Sequence, residues 1–294
     1  MIYLAFVSIL WAFSFGLIGN TLAGLDSFLV ATLRLLCACC VFLFFLKPSA
    51  IKKGTRIRLF LYGAIQFGLM YSCYMKAYHY LPSHLVALFS VFTPIYVVLI
   101  HEIRNKKFFP KYLLAALFSV LGALCIKAKE IPSGDILIGF VLMQIAGISF
   151  AFGQVAYRKW KTNNPSISDQ SIFAWLSLGG LIFCGLFTYF MADRSKLTIN
   201  PEQGIAIVYL GIVASGLGFF LWNKGASLTN PGTLAAFNNV VVPLAIVVSL
   251  FVFGEIEALQ TGSLIRLLVG TLLIGIGILI AQRKTVTTSS LKYE

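Results

Sequence analysis

Arg34 stands about a third of the way into a long apolar stretch, in the run Ala31-Thr32-Leu33-Arg34. A guanidinium there is costly unless it faces water, protein or an anion. One reading makes it an attractor for a carboxylate, which its planar fork suits. The other pairs it with backbone carbonyls or with Asp26, holding helices together. The same apolar background carries Gln66, Gln144, Gln154 and the pair Asn238-Asn239. Amides at such depth either bind a polar ligand or hydrogen-bond between helices, at about 0.6–2 kcal/mol each. Asn238-Asn239 precedes Pro243, and a proline frees a backbone carbonyl, so these amides either repair the backbone or touch substrate. Thr93-Pro94, with Ser90 one turn earlier, is the analogous place in another stretch. Trp11 and Phe15 share one face of a helix by their spacing, and Tyr71, Tyr74 and Tyr78 run along one side of another. An aromatic wall with amides suits a fused-ring ligand or, by cation–π contact, a sulfonium or amine. The candidate substrate-binding residues are therefore Trp11, Phe15, Arg34, Gln66, Tyr71, Gln144, Asn238 and Asn239. Trp175 and Trp222 lie nearer the cytoplasmic ends of their stretches, where an interfacial belt role competes strongly with a place in that wall.

Other chemistries find no support. Asp26, Glu102, Glu130, Asp135, Asp169, Asp193, Glu202, Glu255, Glu257 and Glu294 all fall at segment ends, in connections or in the tail. A carboxylate at bilayer depth costs several kcal/mol, so this placement is that of a membrane protein with no buried acid to carry protons. His79, His84 and His101 lie near span ends and form no HExxH pattern, and no serine sits in GxSxG, so an enzyme is not expected. No metal or cofactor is expected, and without a Walker A sequence ATP does not drive the chain. All six cysteines fall within apolar segments, where Cys acts as a small packing residue.

The elements that must position these residues follow from composition. The chain has 294 residues, 59% hydrophobic and 11% charged, with mean hydropathy +0.90. Soluble domains carry roughly a quarter charged residues, so the expected surroundings are a lipid bilayer. The net charge of +13 reflects basic cytoplasmic loops rather than nucleic acid. A helix needs roughly 20 residues to cross the hydrocarbon. Spans are expected near 2–19, 27–46, 58–78, 82–100, 110–127, 135–155, 170–191, 203–224, 232–253 and 262–282. The first has no basic flank before it and reads as a retained span. Lys47, Lys52, Lys53, Arg56 and Arg58 mark one connection as cytoplasmic, as do Arg104, Lys106, Lys107 and Lys111 for the next but one. Arg158, Lys159 and Lys161 do the same further on, and Arg283, Lys284 and Lys292 in the tail. This alternation fits ten spans with both termini in the cytoplasm.

The chain also repeats itself. Met75-Lys76-Ala77 leads through a proline turn to Ala87-Leu88-Phe89, and about 148 residues later Asn223-Lys224-Gly225 leads through another to Ala235-Ala236-Phe237. Ala12-Phe13 recurs as Ala151-Phe152. Five spans per half is an odd number, so the second half enters the membrane from the opposite side. The expected fold is all-α and integral to the membrane, with ten transmembrane helices in two inverted five-helix repeats, residues 1–128 and 135–284, and a cytoplasmic tail at 285–294. Such repeats place a substrate site near the midplane between the halves.

Several stretches carry a family resemblance: Leu10-Trp11-Ala12-Phe13-Ser14-Phe15, Phe173-Ala174-Trp175, Val213-Ala214-Ser215-Gly216-Leu217-Gly218, Trp222-Asn223-Lys224-Gly225-Ala226 and Gly232-Thr233-Leu234 with Asn238-Asn239. The chain resembles EamA-type members of the drug/metabolite transporter superfamily, and within it the bacterial biotin carrier group, related to S-adenosylmethionine carriers. The resemblance implies a secondary transporter of a small molecule in the bacterial cytoplasmic membrane, importing biotin. S-adenosylmethionine/S-adenosylhomocysteine exchange is the next reading, with the amino-acid carboxylate at Arg34 and the sulfonium at aromatics; amino-acid transport follows. A receptor, channel or scaffold is the alternative class. Small multidrug exporters resemble half of this architecture and use a glutamate in the first span, which this chain lacks, so proton-coupled drug export by that route is not expected.

Overall fold

The computed structural model describes residues 1–22, 24–81, 86, 89–127, 136–252 and 261–283, and these contain helices and connections but no strand. The proline turn at Pro82 with His84, the repeat residues Ala87 and Leu88, the acids Glu130, Asp135, Glu255 and Glu257, and the tail with Glu294 lie outside the described residues.

Helix α1 spans Ile2–Thr21 and α2 spans Ser27–Leu43. Asp26 caps α2: its Oδ1 accepts from the backbone N–H groups of Phe28 and Leu29, each at 2.9 Å. Its Oδ2 accepts from the Asp193 N–H at 3.0 Å, and its own N–H donates to the Lys196 carbonyl at 3.0 Å. One carboxylate thus satisfies the start of α2 and straps a distant connection to it. The third helix is built in three parts, α3 (Lys53–Gly63), a π-helical turn (Ala64–Leu69) and α4 (Met70–Ala77). A 3-10 turn at Ser90–Phe92 leads into α5 (Thr93–Asn105), followed by α6 (Pro110–Lys127). The second part holds α7 (Ile136–Asn163) and α8 (Asp169–Met191). Next come α9 (Pro201–Tyr209), a second π-helical segment (Leu210–Leu217) and α10 (Gly218–Leu228). Helix α11 (Pro231–Phe237), a turn at 238–240, α12 (Val241–Val252) and α13 (Thr261–Gln282) complete it.

Among the described residues, four helical stretches are long and apolar enough to cross a membrane: Ile136–Asn163, Asp169–Met191, Pro201–Leu228 and Ile265–Gln282. Ile2–Ser14, Ser27–Leu43 and Pro110–Ile126 are apolar but shorter. The stretches expected as single spans at 82–100 and 232–253 are not continuous α-helices. Proline cannot donate to the preceding turn, so the chain breaks just before Pro94 and again before Pro243. At the first break the Thr93 hydroxyl donates to the Ser90 carbonyl at 2.8 Å. The same arrangement appears in both halves: a helix interrupted by a π segment, then a helix broken ahead of a proline.

Among the described residues two acids are buried, which corrects the expectation that none would be. Asp26 is one. Glu102, in the last turn of α5, is the other, and its carboxylate accepts from the Phe109 N–H at 2.9 Å. Both stand at helix ends with backbone donors attached, which is what makes their burial tolerable. Close packing of α3 on α8 depends on glycine: a Cβ at Gly63 would overlap the Leu176 backbone, and one at Gly179 the Phe60 carbonyl.

Candidate functional site

A cavity partly open to solvent lies where the two breaks meet α1, α2, α4, α7 and α10. Its wall is largely apolar, with aromatic rings from Trp11 of α1, Tyr71 and Tyr74 of α4, Phe150 of α7 and Phe219 of α10. Trp11 packs against Phe219 and Trp222 with ring centroids at 5.5 and 4.8 Å. Its indole N–H donates to the Ala214 carbonyl at 2.9 Å, so only its ring faces the ligand space. The polar lining comes from Ser14, Arg34, Ser90, Thr93 and Asn238.

Arg34 alone is charged among the described residues of that lining. It is 3% exposed. Its Nε donates to the Ser215 Oγ at 3.2 Å, and its guanidinium carbon sits 4.9 Å from the centroid of the Tyr71 ring. Its Nη1 is buried with no hydrogen-bond partner. No acid among the described residues forms an ion pair with it, and Asp26 is committed to backbone groups. A charged donor held out of water with a vacant hydrogen site strongly favours an anion that reaches it.

Asn238 also lines the cavity. Its amide nitrogen donates to the Leu234 carbonyl at 2.9 Å and to Gln154 Oε1 at 3.3 Å, and its Oδ1 accepts from Gln154 Nε2 at 3.2 Å. Both donors are used, and one oxygen lone pair remains for a ligand N–H. Trp11, Arg34, Tyr71 and Asn238 are thus brought to one space. The other candidate amides are occupied elsewhere and lie outside the lining. Gln66 is fully buried and forms a reciprocal pair with Asn223, at 2.8 and 3.4 Å. Gln144 accepts from the Tyr96 hydroxyl at 2.6 Å and donates to the Phe89 and Phe140 carbonyls. Asn239 donates to the carbonyls of Val91 and Ser119 at 3.0 and 3.2 Å, tying the two broken helices together. Phe15 is on α1, but its side chain lies outside the described residues. Trp222 is no belt residue: it is 1% exposed, beneath Trp11 and Phe150.

The family model of EamA-like transporters matches residues 1–128 and again 133–283. The chain belongs to the EamA-like transporter family. It is a multi-pass membrane transporter of small molecules, not an enzyme. A probable biotin transporter of Pseudomonas aeruginosa is 38% identical over 261 residues, covering 87% of this chain and 90% of the relative. A biotin transporter of Salmonella typhimurium is 36% identical over 257 residues, covering 87% and 85%. A solved crystal structure at 17% identity superimposes with a TM-score of 0.75 over 96% of each chain, which supports the fold alone. In this EamA transporter, sequence reasoning missed Ser215, Phe150 and Phe219 as parts of the site. Their stretches are uniformly apolar, so only the interhelical contacts mark them.

Proposed function

We propose that this EamA transporter imports biotin across the bacterial inner membrane by alternating access, with the ligand carboxylate bound at Arg34. The observation that carries this is a buried guanidinium, bonded to protein only through Nε and with Nη1 unsatisfied, in the lining of a mostly apolar cavity that has no acid in its described lining. Such a space suits a monoanion with an apolar body. The ureido N–H groups of biotin have an acceptor in the free lone pair of Asn238 Oδ1. Relatives named as biotin transporters at 36–38% identity point the same way. S-adenosylmethionine fits less well, because its ammonium and sulfonium would enter beside an uncompensated Arg34 without a carboxylate to meet them.

In this reading the halves are inverted repeats and both termini are cytoplasmic. The recurrence of a π segment followed by a proline break supports the pairing of the halves. Discontinuous helices near the midplane are where such transporters bind substrate. On that topology the cavity runs from mid-span outward, from Trp11 towards Ile18 on α1 and from Met70 towards Tyr74 on α4. The Gln66–Asn223 pair and Trp222 close the cytoplasmic side.

Competition tests the substrate. In cells lacking their own biotin and S-adenosylmethionine carriers, excess unlabelled biotin is expected to block uptake of labelled biotin, and S-adenosylmethionine is not. Blockade by S-adenosylmethionine, with uptake of that compound itself, would transfer the site to the sulfonium ligand.

A further inference from the structure

We propose that Ser215 is a positioning residue that holds the Arg34 guanidinium so that the end carrying Nη1 and Nη2, and not its Nε edge, meets the substrate carboxylate; this deepens the assignment of that carboxylate to Arg34 and rests on it.

Three hydrogen bonds converge on one hydroxyl. Ser215 Oγ donates to the Leu210 carbonyl at 3.0 Å, receives the Arg34 Nε–H at 3.2 Å and lies 3.0 Å from the Tyr71 hydroxyl. A serine hydroxyl has one proton and two lone pairs. The Leu210 carbonyl can only accept, so it takes the serine proton. The Tyr71 hydroxyl must then donate, and both lone pairs of Oγ are filled. Every direction in the cluster is thereby fixed. Tyr71 has spent its proton on Ser215 and offers the ligand only an oxygen lone pair and a ring face. Arg34 has spent Nε, which removes the side-on bidentate approach to its Nε edge. The nitrogens left without a protein partner are those of the far end, Nη1, which is buried, and Nη2.

The backbone is shaped to put the hydroxyl there. Residues 210–217 form a π segment, and the serine's bond runs back five residues to Leu210, matching that wider turn. Gly211 lets this segment approach α2: a Cβ on it would stand 2.6 Å from the Cys37 Cβ and 3.0 Å from the Arg34 carbonyl oxygen. Trp11 fastens the same segment through the Ala214 carbonyl at 2.9 Å. The segment is held on both sides, and its hydroxyl is 0% exposed. Water does not compete for Nε, so the guanidinium plane is set before a ligand arrives, and the ordering cost is not charged to binding.

The test compares biotin with its neutral methyl ester on the purified full chain, by displacement of labelled biotin. The wild type is expected to prefer the acid. In Ser215→Ala the affinity for the acid should fall about tenfold, as for a lost hydrogen bond to a charged group, while that for the ester stays within about twofold. Ser215→Thr, which keeps the hydroxyl, should recover preference for the acid over the ester. An equal loss of both ligands in Ser215→Ala would show a merely structural role and overturn the proposal, as would full retention of the acid preference. A wild type that binds acid and ester alike would instead remove the carboxylate from Arg34, and both assignments would fall together.

Discussion

Arg34→Met is expected to lower biotin uptake about a hundredfold or more while the protein still reaches the membrane in normal amount. A charge-assisted hydrogen bond contributes about 1.5–3 kcal/mol, and the upper end of that range is a factor of about a hundred in binding. The loss is greater still if the substrate carboxylate is then left unpaired in a mostly apolar cavity. The same substitution separates a ligand site from a structural one by the sign of its effect on stability. An unpaired buried cation costs several kcal/mol, and a methionine of similar length removes that cost. Ligand-free Arg34→Met should therefore unfold at a higher temperature than the wild type in the same detergent. Lower stability with unchanged uptake would return Arg34 to the role of a helix tether. Binding sites that give up stability for function behave in this way.

Asn239→Ala is expected to act in the opposite direction, on folding rather than on substrate. Its amide satisfies two carbonyls, of Val91 and Ser119, at the junction of the broken helices. Val91 lies in the turn ahead of Pro94, where the α-helical ladder is interrupted. The Ser119 carbonyl keeps its ladder donor within α6, so the main loss is at Val91; a buried carbonyl short of a donor costs about 1–3 kcal/mol, and the variant should lose about that much stability and part of its abundance. Transport per folded molecule should keep its half-saturation concentration, measured after correcting for membrane content. A raised half-saturation concentration with normal abundance would instead place Asn239 among the ligand contacts. Asn238, one residue earlier and facing the cavity, supplies the internal contrast.

The difference between these neighbouring asparagines shows where the sequence stops being informative. Pro94 and Pro243 announce the broken helices, because a missing donor has the same local effect in any fold. Arg34 announces itself because charge at depth demands a reason. Trp11 and Tyr71 are placed by helical spacing against those landmarks. What spacing does not reveal is which amide meets which. Gln66 is sealed against Asn223, and Gln154 takes up one side of Asn238, pairings set by contacts across 157 and 84 residues of chain. Ser215 is marked only by the family resemblance of its stretch and not by spacing, since a π segment leaves no periodicity in residues that are all small or aliphatic. Trp222 looks interfacial from its place near a span end, and only its stack on Trp11 shows it to be core. Asp26 and Glu102 do stand at segment ends as the sequence places them; what the sequence does not show is that backbone donors, from Phe28, Leu29 and distant Asp193 to the one and from Phe109 to the other, let both be buried.

Counterflow in proteoliposomes holding the purified chain as sole protein tests the central claim most directly. Vesicles loaded with unlabelled biotin and given a trace of labelled biotin outside, with no ATP, should accumulate label transiently above the equilibrium level. Arg34→Met vesicles should not. Absence of accumulation in the wild type, or accumulation undiminished in the Arg34 variant, would contradict the account.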